Sequence, residues 1–356
     1  MRQDKNSVSM AEALRRAMHD SMQHDDRVLC FGLGVTDPKG VFDTTTGLES
    51  TFGSSRVFDV PVSENALTGM ALGLALKGYK PVLTHQRVDF SLVSMDQLVN
   101  NVAKWYYMFG GRRSVSLVVR MVIGRGWGQG PTHSQSFHSL FAHIPGLKVF
   151  LPSSPNDAYH GLRQAIDDPN PVLLLEHRWL HGARGEISDQ AENRVLDKAC
   201  VVREGVDATV IALSSMVPEA LRAAKFLSEK KISIEVIDLR SARPIDWEPL
   251  RKSVAKTGQL ICVDISHAPC SVASEIIAGI AIEGVELAVS PRRIANPNRS
   301  APTSYFYTKD YYSNWMDIVR AIDPSVGAQE LNAWVAKNEG QEANHDVPDK
   351  YFLGPF

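Results

Sequence analysis

Two short segments of this 356-residue chain combine residue types that could do chemistry. The first is Val60-Pro61-Val62-Ser63-Glu64-Asn65, which sets a carboxylate between a strand-like run and a helical pattern. A Glu in the first turn complements the helix dipole. The carboxyl edge of a parallel sheet is also where α/β proteins bind ligands. Spacing alone favours the helix-start role over the ligand role. The second segment is Gly124-Arg125-Gly126-Trp127-Gly128-Gln129-Gly130-Pro131-Thr132-His133-Ser134-Gln135-Ser136. Four glycines in seven residues follow an apolar run, and the loop then delivers a histidine. Glycines permit positive φ and close backbone approach. A lone His is usually a satisfied polar group; after such a loop, a catalytic role weighs equally.

The elements that must position these segments alternate. Ser9 to Met22 has helical periodicity, with Ser9 as N-cap and Glu12 three residues on. Strand patterns are expected at 28–31, 56–60, 81–85, 115–122, 147–151 and 172–176. Helices are expected at 65–77, 92–108 and 155–167. The 65–77 helix carries Ala66, Gly69 and Gly73, which suit either close packing on a partner or an ordinary core helix. A second series follows, with strands at 210–213, 234–238 and 260–264 and helices at 217–230, 247–257 and 271–282. Such alternation predicts an α/β fold of two domains, each a parallel-type sheet flanked by helices. The expected division is a first domain over 1–190, a polar linker over 191–205, a second domain over 206–337 and a tail over 338–356.

Composition excludes several classes. A formal net charge of −2 gives no footprint for nucleic acid or an anionic membrane. No run of about 18 apolar residues signals a membrane span, and residues 1–20 show no apolar signal core. Cys30, Cys200, Cys262 and Cys270 form no Cys-x-x-Cys pair, so reduced thiols in a cytoplasmic protein are expected. The nucleotide-loop, zinc-protease and serine-hydrolase signatures are missing.

Four longer stretches carry a resemblance. They are GVFDTTTGLESTFGSSRVFDVPVSENALTGMALGLALKGYKPV, DFSLVSMDQLVNNVAKWYYMFGG, GRGWGQGPTHSQSFHSLFAHIPGLKVFLPSSPNDAYHGL and DDPNPVLLLEHRWLHG. From about residue 10 to 322, most densely up to 182, the chain resembles the beta subunit of the decarboxylating first component of 2-oxoacid dehydrogenases. Pyruvate, branched-chain 2-oxoacid and acetoin dehydrogenases are its usual members. The resemblance implies a transketolase-like pyrimidine-binding domain, a transketolase C-terminal-like domain, and an α2β2 assembly with thiamine diphosphate bound between alpha and beta chains. It implies acyl transfer to the lipoyl group of an acyltransferase. Glu64 matches the glutamate that bonds the pyrimidine nitrogen N1′, and Phe90 the aromatic that packs on that ring. Gln86 matches a position near the ring, and His133 the active-site histidine. Leu117, Ala165, Ile166, Asp168 and Asn170 match positions that hold a potassium ion in some members, mainly through backbone carbonyls.

The resemblance also marks what is missing and what differs. Such enzymes hold Mg²⁺ and the diphosphate with a Gly-Asp-Gly motif and a later Asn, and this sequence has no Gly-Asp-Gly. An alpha chain is therefore expected to supply that half. Gly32-Leu33-Gly34 stands where the family writes Gly followed by two acids. Thr84-His85 replaces Glu-Phe or Glu-Ile, Arg87 replaces Thr or Phe, and His267-Ala268-Pro269-Cys270-Ser271 replaces a Gly-rich stretch. His85 and Arg87 are candidate substrate contacts, since a guanidinium suits carboxylates and phosphates. An interface or surface salt bridge is the alternative for Arg87. Two other functions stay open: a split transketolase-like enzyme passing an acyl or two-carbon unit to a non-lipoyl acceptor, and a non-catalytic partner subunit. Retention of Glu64, Phe90 and His133 opposes the last.

Overall fold

The structure is a computed structural model and describes residues 7–124, 129–188 and 195–338. Its larger sheet has seven strands. From one edge to the other these are Ser241–Arg243, Lys148–Phe150, Val172–His177, Val118–Ile123, Lys80–His85, Val28–Gly32 and Val57–Phe58. All pair in parallel except the first, which runs antiparallel to Lys148–Phe150. Val28–Gly32, Val118–Ile123 and Val172–His177 are buried along their whole length, which explains why they read as apolar runs rather than alternating ones. The second sheet has five strands in the order Arg292–Asn296, Leu260–His267, Ala208–Ala212, Ile234–Asp238 and Cys200–Arg203, the last antiparallel.

Most expected helices form within a residue or two of their sequence bounds. Met10–His24 is capped by Ser9, whose hydroxyl accepts the Glu12 amide at 3.1 Å. Pro155–Asp167 and Trp247–Thr257 match their expected ranges. The single helix expected over 92–108 does not form. A tight turn of helix at Val88–Ser94, a wide one at Gln97–Val102 and a short α-helix at Trp105–Met108 take its place. The Ser91 and Ser94 hydroxyls bond back to the carbonyls of Val88 and Ser91, and such local bonds compete with a regular helix. In the helix Glu64–Leu76, Ala66, Met70 and Gly73 face outward, and a Cβ at Gly73 would meet nothing within 4 Å. Gly69 instead packs against Gln97 of the turn Gln97–Val102, where a Cβ would lie 3.4 Å from the Gln97 side-chain oxygen. Only the Ala66 and Gly73 part of the small-residue stripe is therefore left uncovered among the described residues.

The expected domain boundaries change in two places. Cys200–Arg203, assigned to the linker, is the edge strand of the second sheet. Ser241–Arg243, from the second half of the sequence, completes the first sheet. Apolar residues of both halves form one continuous core, from Leu29 and Leu83 to Val236 and Ile261. Polar contacts cross the same boundary. The Leu151 amide donates to the Arg240 carbonyl at 2.7 Å, the Arg240 guanidinium pairs with Asp157 at 2.7 Å, and Arg243 donates to the Ala142 carbonyl at 3.1 Å. Most of the expected tail, 339–356, lies outside the described residues. No described helix is long and apolar enough to cross a membrane.

Candidate active site

Parallel strands deliver their carboxyl ends to one edge of the sheet, and there the chain builds a small cavity of about 10 Å³. Gly32 ends one strand, His85 ends the next, and Gln86 and Phe90 follow it. Glu64 opens the helix that covers this corner. Glycine is required at the rim. A Cβ on Gly32 would lie 2.1 Å from the Thr84 carbonyl oxygen. Gly34 has φ +77°, and a Cβ there would come within 2.5 Å of the Gln86 amide nitrogen. The backbone N–H of Gly34 donates to both carboxylate oxygens of Asp59, at 3.0 and 3.2 Å, and Val60 donates to the same group at 2.7 Å. Asp59 thus fixes the loop of Leu33 and Gly34, where the resemblance leads to the expectation of two acids. Sequence reasoning gave Asp59 no role, although it lies within the strand-like run that leads to Glu64.

His133 comes to the same place from the glycine-rich loop. Its ring meets Phe90 edge to face, with centroids 5.7 Å apart and planes at 83°. The Thr132 hydroxyl lies 3.1 Å from His133 Nδ1. Asp89, next to Phe90, accepts the Gln135 amide at 2.6 Å and so ties the strand end to the loop that carries His133. Burial pushes the Asp89 carboxyl above its usual range. Arg125 to Gly128, the first part of the loop noted in the sequence, lie outside the described residues.

His85 and Arg87 take different positions. His85 lines the cavity, is 5% exposed, and is pushed by burial down to about 4, so its ring is neutral at pH 7. Its Nε2 is buried without a hydrogen-bond partner. Arg87 lies beneath the glycine loop rather than on a surface. It is 3% exposed, donates to the Gly124 carbonyl at 3.1 Å, and bonds the Gln129 side chain. Burial lowers its pKa to about 10, which still leaves it charged. A surface salt bridge is thereby excluded for Arg87, and its donors go to the Gly124 carbonyl and the Gln129 side chain.

The five positions matched to a potassium site gather at the opposite end of the sheet. The Leu117 carbonyl accepts the Val172 N–H at 2.9 Å, Ala165 that of Asp168 at 3.3 Å, and Ile166 the Ser116 hydroxyl at 3.3 Å. The Asp168 carboxylate accepts the Asn170 amide at 2.8 Å and is paired with Lys148 at 2.7 Å. No cluster of three or more His, Cys, Asp or Glu side chains suited to a metal occurs among the described residues.

With this geometry in place, comparison with known proteins decides the family. Residues 6–182 match the transketolase pyrimidine-binding domain and residues 197–311 the transketolase C-terminal domain. The beta subunit of acetoin:2,6-dichlorophenolindophenol oxidoreductase from Bacillus subtilis is 36% identical over 338 residues, covering 91% of this chain and 99% of the relative. The chain belongs to the beta-subunit family of 2-oxoacid dehydrogenase first components. The mitochondrial pyruvate dehydrogenase E1 component subunit beta of Saccharomyces cerevisiae is 40% identical over 278 residues, 77% of this chain and 76% of the relative. A solved structure described as a split gene transketolase, inactive beta4 tetramer, superposes with a TM-score of 0.70 at 20% identity. It covers 89% of this chain and 98% of that one, a likeness of fold. The transketolase-like architecture expected of this beta-subunit family is therefore the one observed.

Proposed function

We propose that this chain holds the pyrimidine end of thiamine diphosphate in a 2-oxoacid dehydrogenase first component, and that an alpha chain holds the diphosphate and Mg²⁺. One observation carries the reading: Glu64, Gln86 and Phe90 line a single cavity, with the His133 ring against Phe90. The cavity suits an aminopyrimidine, offering a carboxylate to a ring nitrogen, an aromatic face, and a neutral imidazole with an unmet ring nitrogen. Once bound, thiamine diphosphate supplies the carbanion chemistry, as cofactors do. Glu64 holds a proton at the pyrimidine nitrogen. Phe90 and Gln86 orient the ring. His133, beside Phe90, orients the 2-oxoacid and moves a proton at its imidazole nitrogen during decarboxylation and acyl transfer.

The diphosphate half falls to a partner because this sequence offers no Gly-Asp-Gly for Mg²⁺. Exposed apolar side chains support such a partner. Tyr107 is 88% exposed and Phe109 50%, and Met70 projects from the helix that begins with Glu64. Patches of that kind mark interaction surfaces. The assembly we propose is α2β2, passing the acyl group to a lipoyl acyltransferase. A potassium ion held by the carbonyls of Leu117, Ala165 and Ile166 with Asp168 and Asn170 belongs to the same proposal, each carbonyl keeping a second lone pair. A second reading, transfer to a non-lipoyl acceptor, is favoured by the polar His85 in the cavity wall.

The test is to co-purify the chain with an alpha chain carrying Gly-Asp-Gly, add thiamine diphosphate and Mg²⁺, and screen 2-oxoacids for decarboxylation. The pair should turn over and neither chain alone should. Full activity of this chain by itself would overturn the shared-site reading. Reduction of added lipoyl domain separates the two acceptors.

A further inference from the structure

Two buried polar atoms of residues that line this cavity, Thr84 Oγ1 and His85 Nε2, have no partner among the described residues, and the imidazole is the larger and more directional of the two groups. His85 is the last residue of the strand Lys80–His85, and its buried Nε2 makes no hydrogen bond. Alternate residues of a strand share a face, so His85 lies on the same side as Leu83. Leu83 packs in one core with Leu67 and Ala71 of the helix that begins with Glu64. The imidazole therefore sits under that helix, in the wall of the cavity that Glu64 and Phe90 also line. A neutral imidazole offers one donor and one acceptor. Leaving a buried ring nitrogen unsatisfied destabilises the free protein, whereas an apolar residue would fill the space without that penalty. A side chain that weakens the empty protein at a ligand cavity is explained when the ligand completes it.

We propose that His85 is a positioning residue for the ring seated beside Glu64, its Nε2 forming a hydrogen bond with a nitrogen of an aminopyrimidine. The inference rests on the function proposed above. An aromatic face such as that of Phe90 holds a ring in a plane but lets it turn. Directional bonds at two edges, from Glu64 and His85, fix its rotation. The same pair of bonds discriminates an aminopyrimidine from an isosteric carbocycle, because the carbocycle would leave both groups unpaired.

The experiment uses the full chain co-purified with its alpha partner, with Mg²⁺ present. Calorimetric titration compares thiamine diphosphate with the diphosphate of the thiazole moiety alone, which lacks the pyrimidine. In H85L, affinity for thiamine diphosphate should fall about tenfold while affinity for the thiazole fragment is unchanged. H85Q, whose amide reaches close to the Nε2 position, should recover most of the loss. The unliganded H85L complex should melt at the same temperature as wild type or higher. Equal thiamine diphosphate affinity in wild type and H85L overturns the proposal and leaves the function standing. Equal weakening for both ligands overturns it too, as does a lower melting temperature of unliganded H85L, since the imidazole would then have a partner in the free protein. A wild-type complex that binds no thiamine diphosphate refutes the function itself.

Discussion

His138 and Asp264 meet across the boundary between the two halves of the chain. Nε2 lies 2.7 Å from Oδ1, and neither side chain has exposed surface. Asp264 also accepts the amides of Ser266 at 2.8 Å and Ala273 at 3.1 Å. Burial pushes its carboxyl up, but the charge and hydrogen bond of His138 with the two amides outweigh burial and hold it at about 2. A folded pKa below the ordinary 3.8 contributes stability above that value and loses it as pH falls toward 2. The shift corresponds to roughly 2 kcal/mol at pH 7. D264N should lower the urea unfolding free energy by about that much at pH 7, with a smaller gap from wild type at about pH 3. A gap that is the same at both pH values would contradict the assignment.

Glu64 opens a helix without carrying its core packing, which falls to Leu67, Ala71, Leu72 and Ala75. Glu64→Gln should therefore keep its circular dichroism and melting temperature. Turnover of the assembled enzyme should drop by about 100-fold or more, as for loss of a proton-handling group. Near-normal turnover would remove the role proposed for this carboxylate.

Gly34 is held at φ +77° against the Gln86 amide. Gly34→Ala adds a Cβ where left-handed backbone already costs an L-residue about 1–2 kcal/mol. Thermal denaturation should show a loss of about that size. Because Gln86 must move, thiamine diphosphate should also bind more weakly by calorimetry. A stabilised variant with unchanged binding would show that the loop relaxes freely.

Arg87 is a buried charge that bonds the Gly124 carbonyl and the Gln129 side chain. Removing it should loosen the loop that presents His133 while relieving the desolvation of a guanidinium. Arg87→Met is expected to lower kcat about tenfold with little change in melting temperature. If KM for an anionic substrate rose instead with kcat intact, Arg87 would be contacting substrate.

Local chemistry was readable in the residues; distant pairing was not. Ser9 with Glu12, and Pro155 following Ser154, declare helix starts within a few positions, and those helices form as expected. Glu64 and His133 stand out in their own segments and the family resemblance adds Gln86 and Phe90; the fold brings the four together. Asp264 stands 126 residues from His138, and no periodicity links the two. The stretch 92–108 misleads because its apolar spacing fits a helix while Ser91 and Ser94 satisfy nearby carbonyls in tighter turns. Arg87 reads as a ligand-seeking cation until its burial under Gly124 is known.

The strand Ser241–Arg243 has a consequence for how this protein could be divided. Two matched family segments separated by a polar connector suggest portable modules that could be expressed or exchanged on their own. Cutting there would strip Lys148–Phe150 of its neighbour and leave a bare sheet margin. Such margins recruit other chains, so an isolated first module would be prone to aggregate. The unit that evolution or an engineer can move intact is the whole beta chain, because the second half of the gene encodes the hem of the first sheet.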